Sequence, residues 1–463
     1  MLGSFIIIYL TVTLLIGFWV SRRVKNSSDF ILAGRKLPLL INTFALFALW
    51  FGSETIFGAS SEFLKNGFLG VIEDPFGGAL CLLLYALILA RPLYRRNMLT
   101  LGDLFRDAYG SGIEKVASFF MIITFIGYIA AQLVALGILM NVVFNTTLSS
   151  GILASAVIVG MYTLSGGMWA VSITDFLQSI IIIVGLLWVF FSITDEGSLI
   201  PTVLANAPPG QFDLIPKLNP RNLLDYISAF MVLGLGSLPS QDIFQRFNAA
   251  QSEKYAVWSG YLGAALYLII AMVPLFIALS IKTIYPESSI SDSQKVIPQI
   301  IMEHASLPVQ ALLFGALISA IFSTCSGAVL APSSLLAENI IKPLLHRHLT
   351  EKHFLWILRL SVFIMTVLAV IMALNRTNIY ELVAESSILG LVSILVPMGV
   401  AVFGKKFSRT GALLSMILGF ISWYTSKHIF SIDFPPHLIG LAFSILGMSI
   451  GHISDLKFKI NRK

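Results

Sequence analysis

Adjacent hydroxyl side chains in a long apolar segment could bind a cation. Ser323 and Thr324 lie in the segment 320–327, in the middle of a run apolar enough to cross a membrane. A hard cation such as Na⁺ takes several oxygen ligands, which hydroxyls and free backbone carbonyls supply without a carboxylate. Alternatively, each hydroxyl bonds to a carbonyl one turn earlier, and the small residues let helices approach closely. The pattern alone leaves both interpretations open.

Two other apolar segments are interrupted by residues that disfavour a continuous helix. Residues 41–64 are broken at 50–54, and residues 223–247 are broken at 234–241 by glycines and a proline. Unpaired backbone groups in lipid cost several kcal/mol each, so unwound backbone persists only where it lines a cavity. A pair of such breaks at matching places in two halves of a chain indicates a ligand-binding cavity. The first break would also supply carbonyls near Ser323 and Thr324.

A carboxylate lies close to a glycine pair in the segment 166–178. The glycines suit a tight turn between two spans, which places Asp175 about one turn into the second of them. A carboxylate at that depth is costly and is functional by default. The alternative is a helix N-terminal cap, which stabilises a helix by about 1 kcal/mol. Both remain open.

The elements that position these residues are membrane-spanning helices. The 463 residues are 57% hydrophobic and only 12% charged, with a mean hydropathy of +0.87, whereas soluble domains carry roughly 25% charged residues. Runs that can each cross a ~30 Å hydrocarbon core recur along the chain. We predict about thirteen spans in one all-α transmembrane domain covering residues 1–463, at 2–20, 39–64, 68–90, 116–144, 150–165, 172–195, 223–243, 256–280, 308–337, 354–374, 381–402, 410–426 and 436–453.

The distribution of lysines and arginines indicates how the protein is oriented in the membrane. Most lysines and arginines fall in segments on one side of the predicted spans, and the net charge is +6. Because cytoplasmic loops carry the excess of such residues, we expect the N-terminus outside and the C-terminus in the cytoplasm. The partner implied is the lipid bilayer, and no nucleic acid is expected.

Span counting predicts an inverted repeat. Five spans run from the first broken segment to residue 193, and five from the second to residue 403. An odd number of spans per repeat forces the halves into opposite orientations, as in transporters of the five-plus-five type. We predict an extra helix in 1–38, repeats at 39–195 and 223–403, an outer connector at 196–222, and two extra helices and a short tail in 404–463. A further outer connection carries a predicted short helix at 293–304.

Four segments resemble the sodium/solute symporter family: 91–110, 166–178, 239–246 and 320–330. Within the family, the pattern is most similar to bacterial members near the high-affinity choline transporter branch. The resemblance implies a LeuT-like 5+5 inverted repeat with two broken helices. It also implies a multi-pass protein of the plasma membrane, here the bacterial inner membrane.

The resemblance implies a sodium site and a substrate site in this chain. It implies Na⁺ ligands at the Ala48, Phe51 and Ala320 carbonyls and the Ser323 and Thr324 hydroxyls, with Asp175 serving a second ion or the ion's exit. The implied substrate contacts are Trp50, Gly52, Ser53, Glu54, Thr55, Glu73, Asp74, Tyr128, Gly236, Ser240 and Gln241.

The chain departs from the choline branch at two of its positions. Trp50 and Tyr128 suit a cation–π cage, but Ser240 stands where an aromatic is expected and Ser326 where an acidic residue is expected. Glu54, Glu73 and Asp74 would balance the charge of an amine. Alternatively, Glu54 caps the half-helix after the break, and the other two face water.

These features predict a sodium-coupled symporter that imports a small organic solute by alternating access. The solute would be an amine such as choline, an amino acid or a similar molecule. We expect a monomer or weak oligomer, no cofactor beyond Na⁺, and no enzyme, since the histidines lie at span ends or in loops and form no catalytic group. The alternatives are proton-coupled transport, with Asp175 or Glu54 carrying the proton, and a solute sensor without transport.

Overall fold

The chain forms a bundle of helices in a computed structural model that describes residues 2–194, 199–284, 293–304, 306–345, 350–404, 407–430 and 433–460. The α-helices are α1 (Leu2–Ser21), α2 (Ser27–Leu32), α3 (Leu39–Trp50), α4 (Ser60–Asn66), α5 (Gly78–Leu84), α6 (Ala90–Arg95), α7 (Leu101–Tyr109), α8 (Ser111–Phe144), α9 (Leu148–Thr194), α10 (Leu199–Asn206), α11 (Pro220–Gly236), α12 (Gln241–Ala249), α13 (Glu253–Ile284), α14 (Val296–His304), α15 (Leu307–Leu335), α16 (Lys342–Leu344), α17 (Glu351–Asn375), α18 (Ile379–Leu389), α19 (Leu395–Phe403), α20 (Arg409–His428) and α21 (Pro436–Ile460).

Wider and tighter helical turns join several of these helices. Segments with π-helical turns are Glu54–Ala59, Ile72–Gly77, Tyr85–Leu89, Leu336–Ile341 and Gly390–Ile394, and segments with 3₁₀ turns are Ala33–Arg35, Gly67–Val71 and Ser293–Lys295. Single π-helical turns inside α-helices often mark functional positions. The first two π-helical segments contact each other through Thr55 and Asp74.

Within the described residues, nine helices are long and apolar enough to cross a membrane, or ten if the bent pair α11–α12 is one span. The protein is therefore a multi-pass membrane protein, but the predicted count of thirteen is not confirmed. One reason is that α3 and the segment Leu148–Leu164 end at breaks and are short. Another is that the predicted spans 39–64 and 68–90 share the continuous helical run Glu54–Arg95. The predicted short helix at 293–304 is confirmed by α14 and the turn before it. The predicted connections around 196–222 and 283–306 lie partly outside the described residues.

Two helices form the centre of the bundle. In its most apolar stretch, the span that contains α15 is 94% buried and α8 is 78% buried, against 33% for α17 and 19% for α1. The outer helices therefore expose apolar side chains as a lipid-facing surface. Helix α15 packs against α8 and α9, and α3 packs against α9 and α13.

The two broken helices are tied together at one end. The amide of Leu37, just before α3, donates to the carbonyl of Ala249 at 2.9 Å, and the amide of Gln251 donates to the Leu37 carbonyl at 2.9 Å. Pro38, the residue just before α3, has φ −64° and no amide hydrogen that would need an acceptor. This pairing holds the start of the first broken helix against the end of the second.

Candidate functional site

The first break is two residues long, shorter than the predicted 50–54. Helix α3 ends at Trp50, Phe51 leaves the helical region with φ −80° and ψ 71°, and helical geometry is restored at Ser53. A side chain at Gly52 would lie 2.9 Å from Gln132 Oε1 and 3.0 Å from Thr324 Cγ2. The break therefore needs glycine because two neighbouring helices approach its backbone closely.

Three of the predicted sodium ligands, Ala48, Ala320 and Thr324, contact one another beside this break. The Thr324 hydroxyl of α15 donates to the Ala48 carbonyl at 2.7 Å and to the Ala320 carbonyl at 3.0 Å. Ser323 is 1% exposed, and its hydroxyl has no hydrogen-bond partner among the described residues. Phe51, the fifth predicted ligand, is the fully buried residue at the break itself. An orphaned buried hydroxyl beside neutral oxygens fits a cation that takes oxygen ligands.

Helix α8 holds both sides of the first break. The Tyr128 hydroxyl donates to the Leu49 carbonyl at 2.8 Å, and Gln132 Oε1 accepts from the Ser53 amide at 3.0 Å. These contacts satisfy backbone groups that the break removes from the helix. Tyr128 was predicted at the site. Gln132 was missed, although a glutamine in an apolar helix is a signal that a polar partner lies nearby.

The second break separates α11 from α12, which are bent by 55° relative to each other. Four residues, 237–240, lie between the two helices. The Ser237 hydroxyl is 3.0 Å from the Ser387 hydroxyl, and the Ser240 hydroxyl donates to Asp242 Oδ1 at 2.5 Å. Since Pro239 has no amide hydrogen, it cannot continue the helix, which explains why this segment unwinds.

A small cavity of about 50 Å³ lies between the two breaks. The predicted substrate contacts Trp50, Tyr128, Gly236 and Ser240 line it, together with Asp242, which was missed. Helix α8 and the α18 segment complete the wall with Met121, Thr124, Phe125, Val383, Ser386, Ser387, Gly390 and Ile394. The cavity thus combines aromatic rings, small hydroxyls and one carboxylate, a surface suited to a small solute that carries a positive charge.

The other predicted substrate contacts do not line this cavity. Asp74 and Thr55 are fully buried and contact each other and Tyr267, whereas Gln241 accepts a hydrogen bond at 2.7 Å from the Leu101 amide of α7. Gly52 and Ser53 face Gln132. The remaining two predicted contacts are Glu54 and Glu73. Their predicted roles stay predictions.

Asp175 lies in a helix interior and pairs with an arginine. Gly167, with φ +52° and ψ −154°, divides α9, and Asp175 follows eight residues later rather than one turn later. Its Oδ2 is 3.5 Å from Arg246 Nη2, and both side chains are fully buried. The helix-cap interpretation is therefore wrong. Arg246 also donates from Nε to the Ala45 carbonyl at 2.9 Å, so the pair joins α9, α12 and α3.

The segment 91–110 serves a structural role near one end of the bundle. Thr100 and Asp103 form a capping box at the start of α7. The Thr100 hydroxyl donates to Asn339 Oδ1 at 2.7 Å, and Asn339 Nδ2 donates to Glu114 Oε1 at 2.8 Å. These buried polar groups satisfy one another and fix α7 against α8 and the segment after α15.

Comparisons with known proteins agree on one family. The sequence model of the sodium:solute symporter family matches residues 30–419. The high-affinity choline transporter 1 of Torpedo marmorata is 28% identical over 438 residues, covering 90% of this chain and 75% of the relative. The high-affinity proline transporter PutP of Bacillus subtilis is 26% identical over 430 residues and covers 88% of each protein.

A solved structure has the same fold. The substrate-bound, outward-open state of a Na⁺-coupled sialic acid symporter superposes with a TM-score of 0.85 over 97% of each chain, at 17% identity. At 17% sequence identity, this similarity shows that the helices of the two proteins are arranged in the same way.

Proposed function

Because the chain belongs to the sodium:solute symporter family, we propose that it is a sodium-coupled symporter that imports a small organic solute by alternating access. The family consists of transporters, so the expectation that the chain is not an enzyme is confirmed, and the resemblance to this family is confirmed as well. The observation that supports sodium coupling is the contact of Thr324 with the Ala48 carbonyl beside the orphaned Ser323 hydroxyl.

In this proposal Na⁺ is held where α3 meets α15. The Ala48, Phe51 and Ala320 carbonyls and the two hydroxyls would ligate the ion, with Thr324 rotating its hydrogen away from Ala48. One charge moving through ~100 mV contributes about 2.3 kcal/mol, and a tenfold sodium gradient adds roughly 1.4 kcal/mol. Together they support on the order of several-hundred-fold accumulation of a neutral solute per sodium ion.

We propose a single sodium ion per transport cycle. Asp175, the candidate for a second ion, is already neutralised by Arg246 at 3.5 Å, and a buried carboxylate with a cationic partner gains little from another cation. We assign the pair to the ion's exit route, where its separation would free a carboxylate for the departing ion.

The proposed solute is a small amine or amino acid. Trp50 and Tyr128 offer aromatic faces to a cation, and Asp242 offers a carboxylate at the same cavity. The two relatives are transporters of choline and of proline, and both of these solutes carry a positively charged nitrogen. An uptake screen of amines and amino acids would identify the solute, and transport of anions alone would contradict this assignment.

The sodium site is tested without knowing the solute. Na⁺ should raise the unfolding temperature of the purified protein relative to K⁺, because a ligand at a hundred times its dissociation constant stabilises the folded state by about 2.7 kcal/mol. Combined Ser323→Ala and Thr324→Ala substitutions should abolish this shift. Ser333→Ala is the matched control, since the Ser333 hydroxyl donates to the Val329 carbonyl of its own helix. A full sodium shift in the double variant would refute the site.

The arrangement in the membrane belongs to the same proposal. We place the protein in the plasma membrane with its N-terminus outside, on the strength of the positive-inside distribution. Residues 39–195 and 223–403 would form the two inverted repeats, each beginning at a broken helix. Labelling of single cysteines in loops from one side of the membrane would test both assignments.

A further inference from the structure

A carboxyl group beside the first break has no cationic partner. Asp74, in the segment Ile72–Gly77, is fully buried. Its contacts are the Thr55 hydroxyl, 2.9 Å from Oδ2, and the Tyr267 hydroxyl at Oδ1. Nowhere in the described parts of the chain does a lysine, arginine or histidine form an ion pair with it. A buried charge without a partner is so costly that such a group takes up a proton instead.

The hydrogen bonds of the cluster also require another hydrogen. Thr55 Oγ1 lies 2.9 Å from Asp74 Oδ2, 2.8 Å from the Tyr267 hydroxyl and 3.1 Å from the Trp50 carbonyl. With the Tyr267–Asp74 contact, there are four close oxygen pairs. Thr55 and Tyr267 carry one hydroxyl hydrogen each, so an ionised Asp74 leaves two pairs without a hydrogen.

A proton on Asp74 adds a third hydrogen to the cluster, so that only the Thr55–Tyr267 pair is left without one. Asp74 then donates to Thr55, Thr55 donates to the Trp50 carbonyl, and Tyr267 donates to the second oxygen of Asp74. Each hydrogen then has one acceptor, and the Trp50 carbonyl, which already accepts from the Gly52 amide at 2.9 Å, receives a second hydrogen bond from Thr55. Because these oxygens touch one another at hydrogen-bond distance, they do not surround a space for a metal ion. Asp74 is also closed to the solute, since it does not line the cavity.

A second carboxyl group nearby also favours a proton at this place. Glu54, one residue before Thr55, is 4% exposed, and its Oε1 has no hydrogen-bond partner in the described structure. Its charge and that of Asp74 are close enough to interact. The titratable groups near enough to interact electrostatically with Asp74 are Tyr267 of α13, Glu54 of the half-helix after the first break, Tyr380 of α18, Tyr128 of α8 and the adjacent Glu73. All of them are neutral or acidic, so they favour a proton at this place.

We propose that Asp74 is a proton-binding site, separate from the sodium site, that makes sodium binding depend on pH. The dependence rests on the proposed sodium-coupled function, whereas the proton site does not. Trp50, whose carbonyl receives the Thr55 hydrogen, lies between Ala48 and Phe51, so both ligands act on the same break. An ionised Asp74 attracts Na⁺ and a protonated one does not. Sodium affinity therefore rises as the pH rises, and sodium binding releases a proton.

Infrared difference spectroscopy of the purified protein tests the proton site directly. The wild type should show the carbonyl stretch of a protonated carboxyl group at mildly acidic pH, and the band should fade as the pH is raised. Asp74→Asn should remove it, and the amide can still donate to Thr55 and accept from Tyr267. Glu62→Gln, which removes a carboxylate that pairs with Lys65 at 3.0 Å, should leave it unchanged. Identical pH-dependent spectra for the wild type and Asp74→Asn would overturn the proposal.

Binding of radioactive Na⁺ at several pH values tests the coupling. The wild-type affinity should rise at least about fivefold from acidic to alkaline pH, within the usual range for two coupled sites, and that of Asp74→Asn should stay at its low-pH level. A wild-type pH dependence that persists in Asp74→Asn would refute the coupling. If no variant binds Na⁺ but the infrared band still requires Asp74, the sodium site fails and the proton site stands.

Discussion

At the scale of single residues, the absence of a side chain at Gly52 determines how closely α15 approaches the first break. We predict that Gly52→Ala lowers the affinity for Na⁺ by roughly tenfold, which corresponds to about 1.4 kcal/mol. The added methyl group would lie 2.9 Å from Gln132 Oε1 and 3.0 Å from Thr324 Cγ2, and it would push Thr324 away from Ala48. Sodium-dependent thermal shifts measure the change.

Gly112→Ala is the control for this substitution. Gly112 lies in the first turn of α8, and beyond its chain neighbours and its own helical backbone no atom lies within 4 Å of the position its side chain would take. This variant should bind Na⁺ as the wild type does. An unchanged sodium affinity in Gly52→Ala would show that the close contact with Thr324 is not part of the ion site.

The residue types at the site could be predicted from the sequence, but their partners could not. Hydroxyls and carboxylates in apolar segments are visible because each is costly in lipid. Their contacts are set by the packing of distant segments: Thr55 meets Tyr267 across 212 residues, and Ser53 meets Gln132 across 79. Asp74 was therefore predicted as a substrate contact, although in the fold it is enclosed by hydroxyl groups.

At the scale of secondary-structure elements, the two breaks are the most predictable feature. Glycine and proline weaken a helix wherever it lies, so the interruptions near Trp50 and Pro239 could be located before the fold was known. Their lengths could not, because they depend on the neighbours that satisfy the freed backbone. Tyr128 and Gln132 of α8 do so at the first break, which shortens it to two residues.

The ion pair between α9 and α12 is a charged link between elements whose two side chains are both fully buried. We predict that Arg246→Gln destabilises the folded protein by about 3–5 kcal/mol, because it leaves the Asp175 carboxylate buried and unpaired. Adding Asp175→Asn should restore much of that stability, since no unpaired charge remains. Thermal or denaturant unfolding of the purified variants in one detergent measures the difference.

An exposed pair supplies the comparison. Arg95 and Glu253 are 2.8 Å apart, but their side chains are 69% and 31% exposed. Since exposed ion pairs contribute about 0–1 kcal/mol, Arg95→Gln should change stability little. If Arg246→Gln were no more harmful than Arg95→Gln, the buried pair would not join α9 to α12 as inferred.

At the scale of the whole molecule, the proposed sodium site and the cavity share one boundary. The first broken helix would supply the Ala48 carbonyl to the proposed ion site and provides Trp50 to the cavity wall, while α8 contacts the break between them. An ion that fixes α3 against α15 therefore also sets the shape of the cavity. By linkage, sodium should favour one global conformation over the others. We expect that conformation to be open to the outside, where sodium is abundant.

Cysteine accessibility in whole cells tests this expectation. The native Cys81 and Cys325 are fully buried, so an introduced cysteine would dominate the reaction with a membrane-impermeant thiol reagent. We predict that Thr124→Cys, at the cavity wall, reacts severalfold faster in Na⁺ than in K⁺. Ser150→Cys, at the exposed start of α9, should react at the same rate in both salts. Slower labelling of Thr124→Cys in Na⁺ would mean that sodium closes the outer path. Equal rates at that position would mean that sodium does not select a conformation.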